Sequence, residues 1–66
     1  MVATKYIIQK DNGAFYWEDS SSTSFWGLHK ELGDAYLFQT KIEAERKIEV
    51  RYLQNCQVRE VELKLI

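Results

Sequence analysis

The chain carries one histidine, His29, and one cysteine, Cys56, set far apart. A zinc site draws three or four ligands from His, Cys and carboxylates at characteristic spacing, so no metal site or cofactor is expected. Ser20, Ser21, Ser22 and Ser24, with His29 and Asp34, supply the residue types of a nucleophilic triad, in which a histidine takes the serine proton and a carboxylate orients the ring. The Gly-x-Ser-x-Gly elbow that presents such a serine is missing, and the serine run reads as a polar loop. Cys56 would be a reactive thiolate beside a positive helix N-terminus. It follows the C-terminal end of the predicted helix instead, on the apolar stripe, and reads as a small buried hydrophobe. Gly13, Gly27 and Gly33 are scattered and match turns, not a phosphate-cradling loop. The carboxylate pairs Glu43/Glu45 and Glu60/Glu62 fall on exposed periods. These residues point away from an enzyme.

Charge narrows the partners. Nine Lys and Arg against 10 Asp and Glu leave a net charge of -1. Nucleic-acid binding is driven by counterion release from phosphates and wants a basic surface, which neither half of the chain supplies. A lone cysteine excludes an internal disulfide and fits a reducing cytoplasm. No stretch approaches the roughly 20 apolar residues of a membrane span, and Met1–Gln9 lacks the apolar run of a signal peptide. The expectation is a cytoplasmic protein with no membrane partner.

The elements that must position any site are short. Sixty-six residues, 45% hydrophobic and 29% charged, predict a single domain over 1–66. The β-branched and aromatic run 5–10, the Asn12-Gly13 dipeptide and the run 14–19 predict a hairpin with a two-residue type I′ turn. In that register Lys10 faces Phe15 and Ile8 faces Trp17, so Tyr6, Ile8, Phe15 and Trp17 share the core face, while Ile7, Gln9, Tyr16 and Glu18 share a wetter one. The polar run 20–24 is read as a loop holding Phe25-Trp26-Gly27 after it, and 28–33 as at most one helical turn stopped by Gly33. A short strand follows at 35–38. Thr40 and Glu43 then form a capping box for a helix over 41–55. Its apolar stripe is Ala44, Ile48, Tyr52 and Cys56, flanked by Ile42 and Leu53, with Val50 pointing away. The alternation of Val61, Leu63 and Leu65 closes the chain as a strand over 57–66. The architecture predicted is α+β: a three- to four-stranded, mainly antiparallel sheet with one helix packed on a face, because the apolar stripe needs a partner.

Nine aromatic residues (3 Phe, 2 Trp, 4 Tyr) exceed what one face of so small a sheet can hide. Tyr16, Phe25, Trp26 and Tyr36 are the surplus, and exposed rings serve as anchors at protein interfaces. The leading expectation is a non-catalytic protein-binding module with these four as contact residues. Two alternatives differ in class. One is a self-associating accessory protein, a homodimer joined through an unpaired edge of the last strand or through Val50. The other is a single-strand binder stacking bases on Tyr16, Trp26 and Tyr36, which the charge balance makes the least favoured.

The stretch Asp34-Ala35-Tyr36-Leu37-Phe38-Gln39-Thr40-Lys41-Ile42-Glu43-Ala44-Glu45 resembles a pattern in small phage and prophage proteins. They open with a tight hairpin, then carry Ala-x-x-Phe, a Thr or Ser cap, Glu-Ala-Glu on a helix and a Val-rich closing strand. Ala35, Phe38, Thr40, Glu43, Ala44, Glu45, Ile48, Val58 and Val61 carry the likeness over 34–62; the proline usual near the last strand is missing here. The resemblance implies the same fold and a viral origin, and for a protein of this size an inhibitor that binds a host defence or transcription protein and blocks it sterically.

Overall fold

A computed structural model of the chain describes residues 2–19 and 21–64. Strands β1 (Val2–Lys10) and β2 (Phe15–Asp19) form the expected hairpin, but its turn is one residue longer than predicted. Gly13 alone in the turn takes a left-handed φ, +94°, where a type I′ turn needs two such residues. The Gly13 N–H donates to the Lys10 carbonyl at 2.9 Å and the Lys10 N–H to the Ala14 carbonyl at 2.7 Å. The Asn12 side-chain oxygen accepts from the Ala14 N–H at 3.0 Å. Asp11-Asn12-Gly13 is therefore a three-residue loop closed by a left-handed glycine. The extra loop residue sets Gln9, not Lys10, opposite Phe15. A slip of one residue turns every side chain of the strand to the other face, so Tyr16 enters the core in place of Phe15 and Trp17.

The remaining elements are β3 (Ser22–His29), a short 3-10 turn (Leu32–Asp34), helix α1 (Lys41–Val50) and β4 (Cys56–Lys64). The sheet is four-stranded and antiparallel in the order β3-β2-β1-β4, with α1 packed across β1 and β4. This is the α+β class expected. β4 pairs with β1 along its whole length, from Val2 opposite Lys64 to Lys10 opposite Cys56. Ser20, Leu65 and Ile66 lie outside the described residues.

Three boundaries differ from expectation, each for a physical reason. First, 22–29 is a strand and not a loop. Asp19 turns the chain by accepting from both the amide and the hydroxyl of Ser21 at 2.8 Å. β3 then pairs with β2 from Phe15 opposite His29 to Glu18 opposite Trp26, with an irregularity before Asp19 meets Ser22. An edge strand without apolar alternation carries little periodic signal. Second, 35–38 forms only one isolated bridge, Tyr6 to Phe38. It is still extended. Phe38 exchanges two backbone bonds with Tyr6, at 2.8 and 2.9 Å, and the Tyr36 N–H donates to the Tyr16 carbonyl at 2.9 Å. The segment thus bonds to both hairpin strands beyond their shared turn, which satisfies backbone groups that would otherwise be orphaned.

Third, α1 stops at Val50. The Tyr52 N–H donates to the Glu49 carbonyl and the Leu53 N–H to the Ile48 carbonyl. With Tyr52 left-handed at φ 53°, this is a Schellman stop. Tyr52 therefore leaves the predicted stripe and is 88% exposed, and Ile42 is exposed as well. The rest of the stripe holds: Ala44 is buried among Ile8, Tyr16 and Phe38, with Ile48, Leu53, Cys56 and Val58 packed against them. Val50 points to solvent as its phase indicates.

At the other end of α1 the Thr40 hydroxyl accepts from the Glu43 N–H at 3.2 Å. Thr40→Ala should lower stability by about 1 kcal/mol, read as a fall of roughly 4–8 °C in Tm for a domain of this size. Tyr52→Gly should raise it by about 1 kcal/mol, because a β-carbon is disfavoured in the left-handed region and Tyr52 is exposed. Denaturant midpoints of the two variants should move in opposite directions.

Candidate functional site

The helix-side face of the sheet closes over Tyr16. Its ring lies 6.1 Å from Phe38 and 5.9 Å from Trp26, centroid to centroid. Its hydroxyl donates to a Glu18 carboxylate oxygen at 2.9 Å, and Lys47 of α1 reaches the same oxygen at 3.3 Å. The Glu18 side chain is only 6% exposed. A buried carboxylate requires such partners, so the pair fixes α1 against β2. Arg51, just past the helix, carries its guanidinium 5.1 Å from the centre of the Trp26 ring, within cation–π range.

The four residues expected at an interface therefore divide. Tyr16 is completely buried and cannot touch a partner, a correction that follows from the one-residue register shift. Tyr36 is half-buried, edge-on to Phe38 at 4.8 Å. Phe25 is 64% exposed and Trp26 37%. Base stacking across Tyr16, Trp26 and Tyr36 loses its first platform. The other rings expected in the core, Phe15 and Trp17, lie on the opposite face, where Trp17 covers Gly27. A β-carbon at Gly27 would come within 3.2 Å of the Trp17 indole nitrogen.

Three further apolar residues are exposed next to Trp26 on β3 or next to its partner Arg51 in the chain. Leu28 follows on β3, opposite Tyr16. Val50 and Tyr52 flank Arg51 at the helix end. The position of Tyr52 was hidden in the sequence because no glycine marks the helix stop. Leu28 was hidden because β3 itself was not seen.

Among the described residues the other candidate groups are only partly brought together. His29 Nδ1 and Asp34 Oδ2 approach to 3.1 Å, and both side chains are more than half exposed. Ser21, the serine whose bonds are described, is held by Asp19 at the far end of β3. The Cys56 thiol is half-buried, and burial chiefly, against the pull of Lys10, pushes its pKa upward; this opposes thiolate reactivity. Among the described residues no group of three or more His, Cys, Asp and Glu is placed to hold a metal ion, and no helix is long and apolar enough to cross a membrane. An open groove of about 590 Å³ runs between α1 and 36–39, with Tyr36 and Val50 beside Glu43, Arg46 and Lys47. On the opposite face an apolar groove of about 500 Å³ is lined by Ile7, Leu32, Ala35, Leu37, Val61 and Leu63.

Compared with family models, curated proteins and solved structures, the chain matches none.

Burial, then the bond to Glu18, holds the Tyr16 pKa up at about 12, with Arg51 pulling against them. An unfolded tyrosine ionises near 10, so between those pH values the folded chain keeps a proton that the unfolded chain has lost. Stability should therefore be unaffected by this group below pH 10 and fall from about pH 10 to 12, by up to about 1.4 kcal/mol per pH unit. Phenolate absorbance should show a step near pH 12 that Tyr16→Phe removes.

Proposed function

We propose that this chain is a non-catalytic protein-binding module, docking through the corner where β3 meets the end of α1. The observation that carries the reading is the exposure of Phe25, Trp26 and Leu28 on an edge strand, continued by Val50 and Tyr52 through the Arg51–Trp26 contact. Aromatic anchors set in a rigid frame cost little entropy on binding and dominate interface energetics. Here the frame is the Tyr16–Glu18–Lys47 network beneath. Tyr52 adds weight, because a β-carbon held in the left-handed region costs stability while its ring contributes no buried packing.

The mechanism this surface supports is occlusion: the module covers part of another protein without chemistry. The resemblance to small phage proteins suggests a host protein, of defence or transcription, as the target. A tagged chain incubated with a lysate of its own cells should recover a stoichiometric protein that Trp26→Ala recovers several-fold less. Equal recovery by wild type and Trp26→Ala, or no stoichiometric protein at all, an untagged copy of the chain included, overturns the reading.

A further inference from the structure

The sheet has two free edges among the described residues, β3 and β4, and they differ in one physical respect. β4 carries Arg59, Glu60, Glu62 and Lys64 along its length. In an antiparallel pair, directly opposite residues share a face, so two copies of one strand related by a two-fold axis match about a central residue. Centred on Arg59, β4 would set Arg59 against itself. Centred on Glu60 or Glu62, it would set each glutamate against its twin, and centred on Val61 it would set Glu60 against Glu62. Like charges directly opposite destabilise a sheet, and charged edges are a known guard against edge-to-edge pairing. The unpaired edge of the last strand, expected as the route to self-association, is thus guarded in its central registers, though one centred on Leu63 sets Glu62 against Lys64.

β3 has no such guard. From Ser22 to Leu28 the sequence carries no charge and no proline. Its regular portion is Trp26-Gly27-Leu28-His29, paired to β2 as far as Glu18, and within it Trp26-Gly27-Leu28 is self-complementary about Gly27. A two-fold pairing centred there sets Trp26 of each copy opposite Leu28 of the other on the helix side and brings Phe25, where the irregularity begins, level with His29. Trp26 and Leu28, each 37% exposed, and Phe25, 64% exposed, would all gain cross-strand partners. Aromatic–aliphatic pairs of this kind are stabilising. At Gly27 the two backbones meet without side chains between them.

We infer that the chain forms a two-fold dimer by antiparallel addition of β3 to β3 of a second copy, centred on Gly27, giving a continuous eight-stranded sheet. This rests on the docking reading and names its first partner. The interface is isologous, so each copy donates and receives the same contacts. Pairing also places two helix-end corners, each with Val50 and Tyr52, on one side of the joined sheet.

Sedimentation over a hundredfold concentration range should show a monomer–dimer equilibrium. Leu28→Lys, which sets two lysines beside the two-fold axis, should shift its midpoint at least tenfold toward monomer, with circular dichroism checking the fold. The register has its own test, independent of any loss of stability. Mixing Phe25→Cys with His29→Cys under mild oxidation should give a disulfide between positions 25 and 29, assigned by peptide mapping so that Cys56 products are set aside. Phe25→Cys alone should give none joining 25 to 25. Monomer at every concentration, a dimer untouched by Leu28→Lys, or a cross-link joining 25 to 25 overturns the inference. A monomer that still captures a foreign protein through Trp26 removes the second copy as partner and leaves the docking reading standing.

Discussion

The structure depends on where one phenol goes. Tyr16 is the largest side chain wholly buried here, and its hydroxyl must be satisfied within the interior. Glu18 accepts that proton at 2.9 Å, two residues along the same strand and so on the same face. A carboxylate can be held there only because Lys47 meets it at 3.3 Å, which in turn fixes the rotation of α1 over the sheet. One buried hydroxyl thus ties the register that the three-residue loop sets in β2 to a partner on the helix. Removing one member alone would strand the others, and an unpaired buried charge costs more than the pair contributes.

That choice determines what reaches the surface. With Tyr16 inward, Phe15 and Trp17 face the opposite side of the sheet, and Trp17 lies over Gly27. Trp26 shares the helix-side face, tilted against the Tyr16 ring and within reach of the Arg51 guanidinium. It is therefore anchored on one side and open on the other, the arrangement an interface anchor needs. Phe25, Leu28, Val50 and Tyr52 have no such backing and are more open still, Leu28 excepted. The exposed apolar surface is a consequence of filling the core with Tyr16, Phe38, Ile8 and Ala44, which leaves no interior volume for the rest.

Much of the architecture was legible in the residues. The Thr40–Glu43 box placed the helix start, and the alternation of Val61, Leu63 and Leu65 placed β4. Asn12-Gly13 located the first hairpin. Its register was misread because Asn-Gly serves both a two-residue and a three-residue loop, and the difference lies in the φ of Asn12, which composition does not reveal. That single ambiguity moved Tyr16 from surface to core and took one of four expected contact residues out of the site. β3 escaped notice because serine and threonine suit loops and edge strands alike. The helix stop escaped because a tyrosine, not a glycine, takes the left-handed position.

The edges carry the last step. A small sheet with two open edges must prevent uncontrolled pairing along both. β4 opposes this with Arg59, Glu60 and Glu62, which meet like charges in its central registers, and its inner edge is fully bonded to β1. β3 lacks charge from Ser22 to Leu28, but its irregularity beside Asp19 confines regular pairing to the segment from Trp26 to His29. Pairing there is limited to a few residues, and the outer strands of the resulting sheet are two copies of the charged β4. An open edge of this kind terminates itself after one addition. That distinguishes a docking edge from an aggregation-prone one, and the combination of a short apolar β3 with a long charged β4 meets the condition.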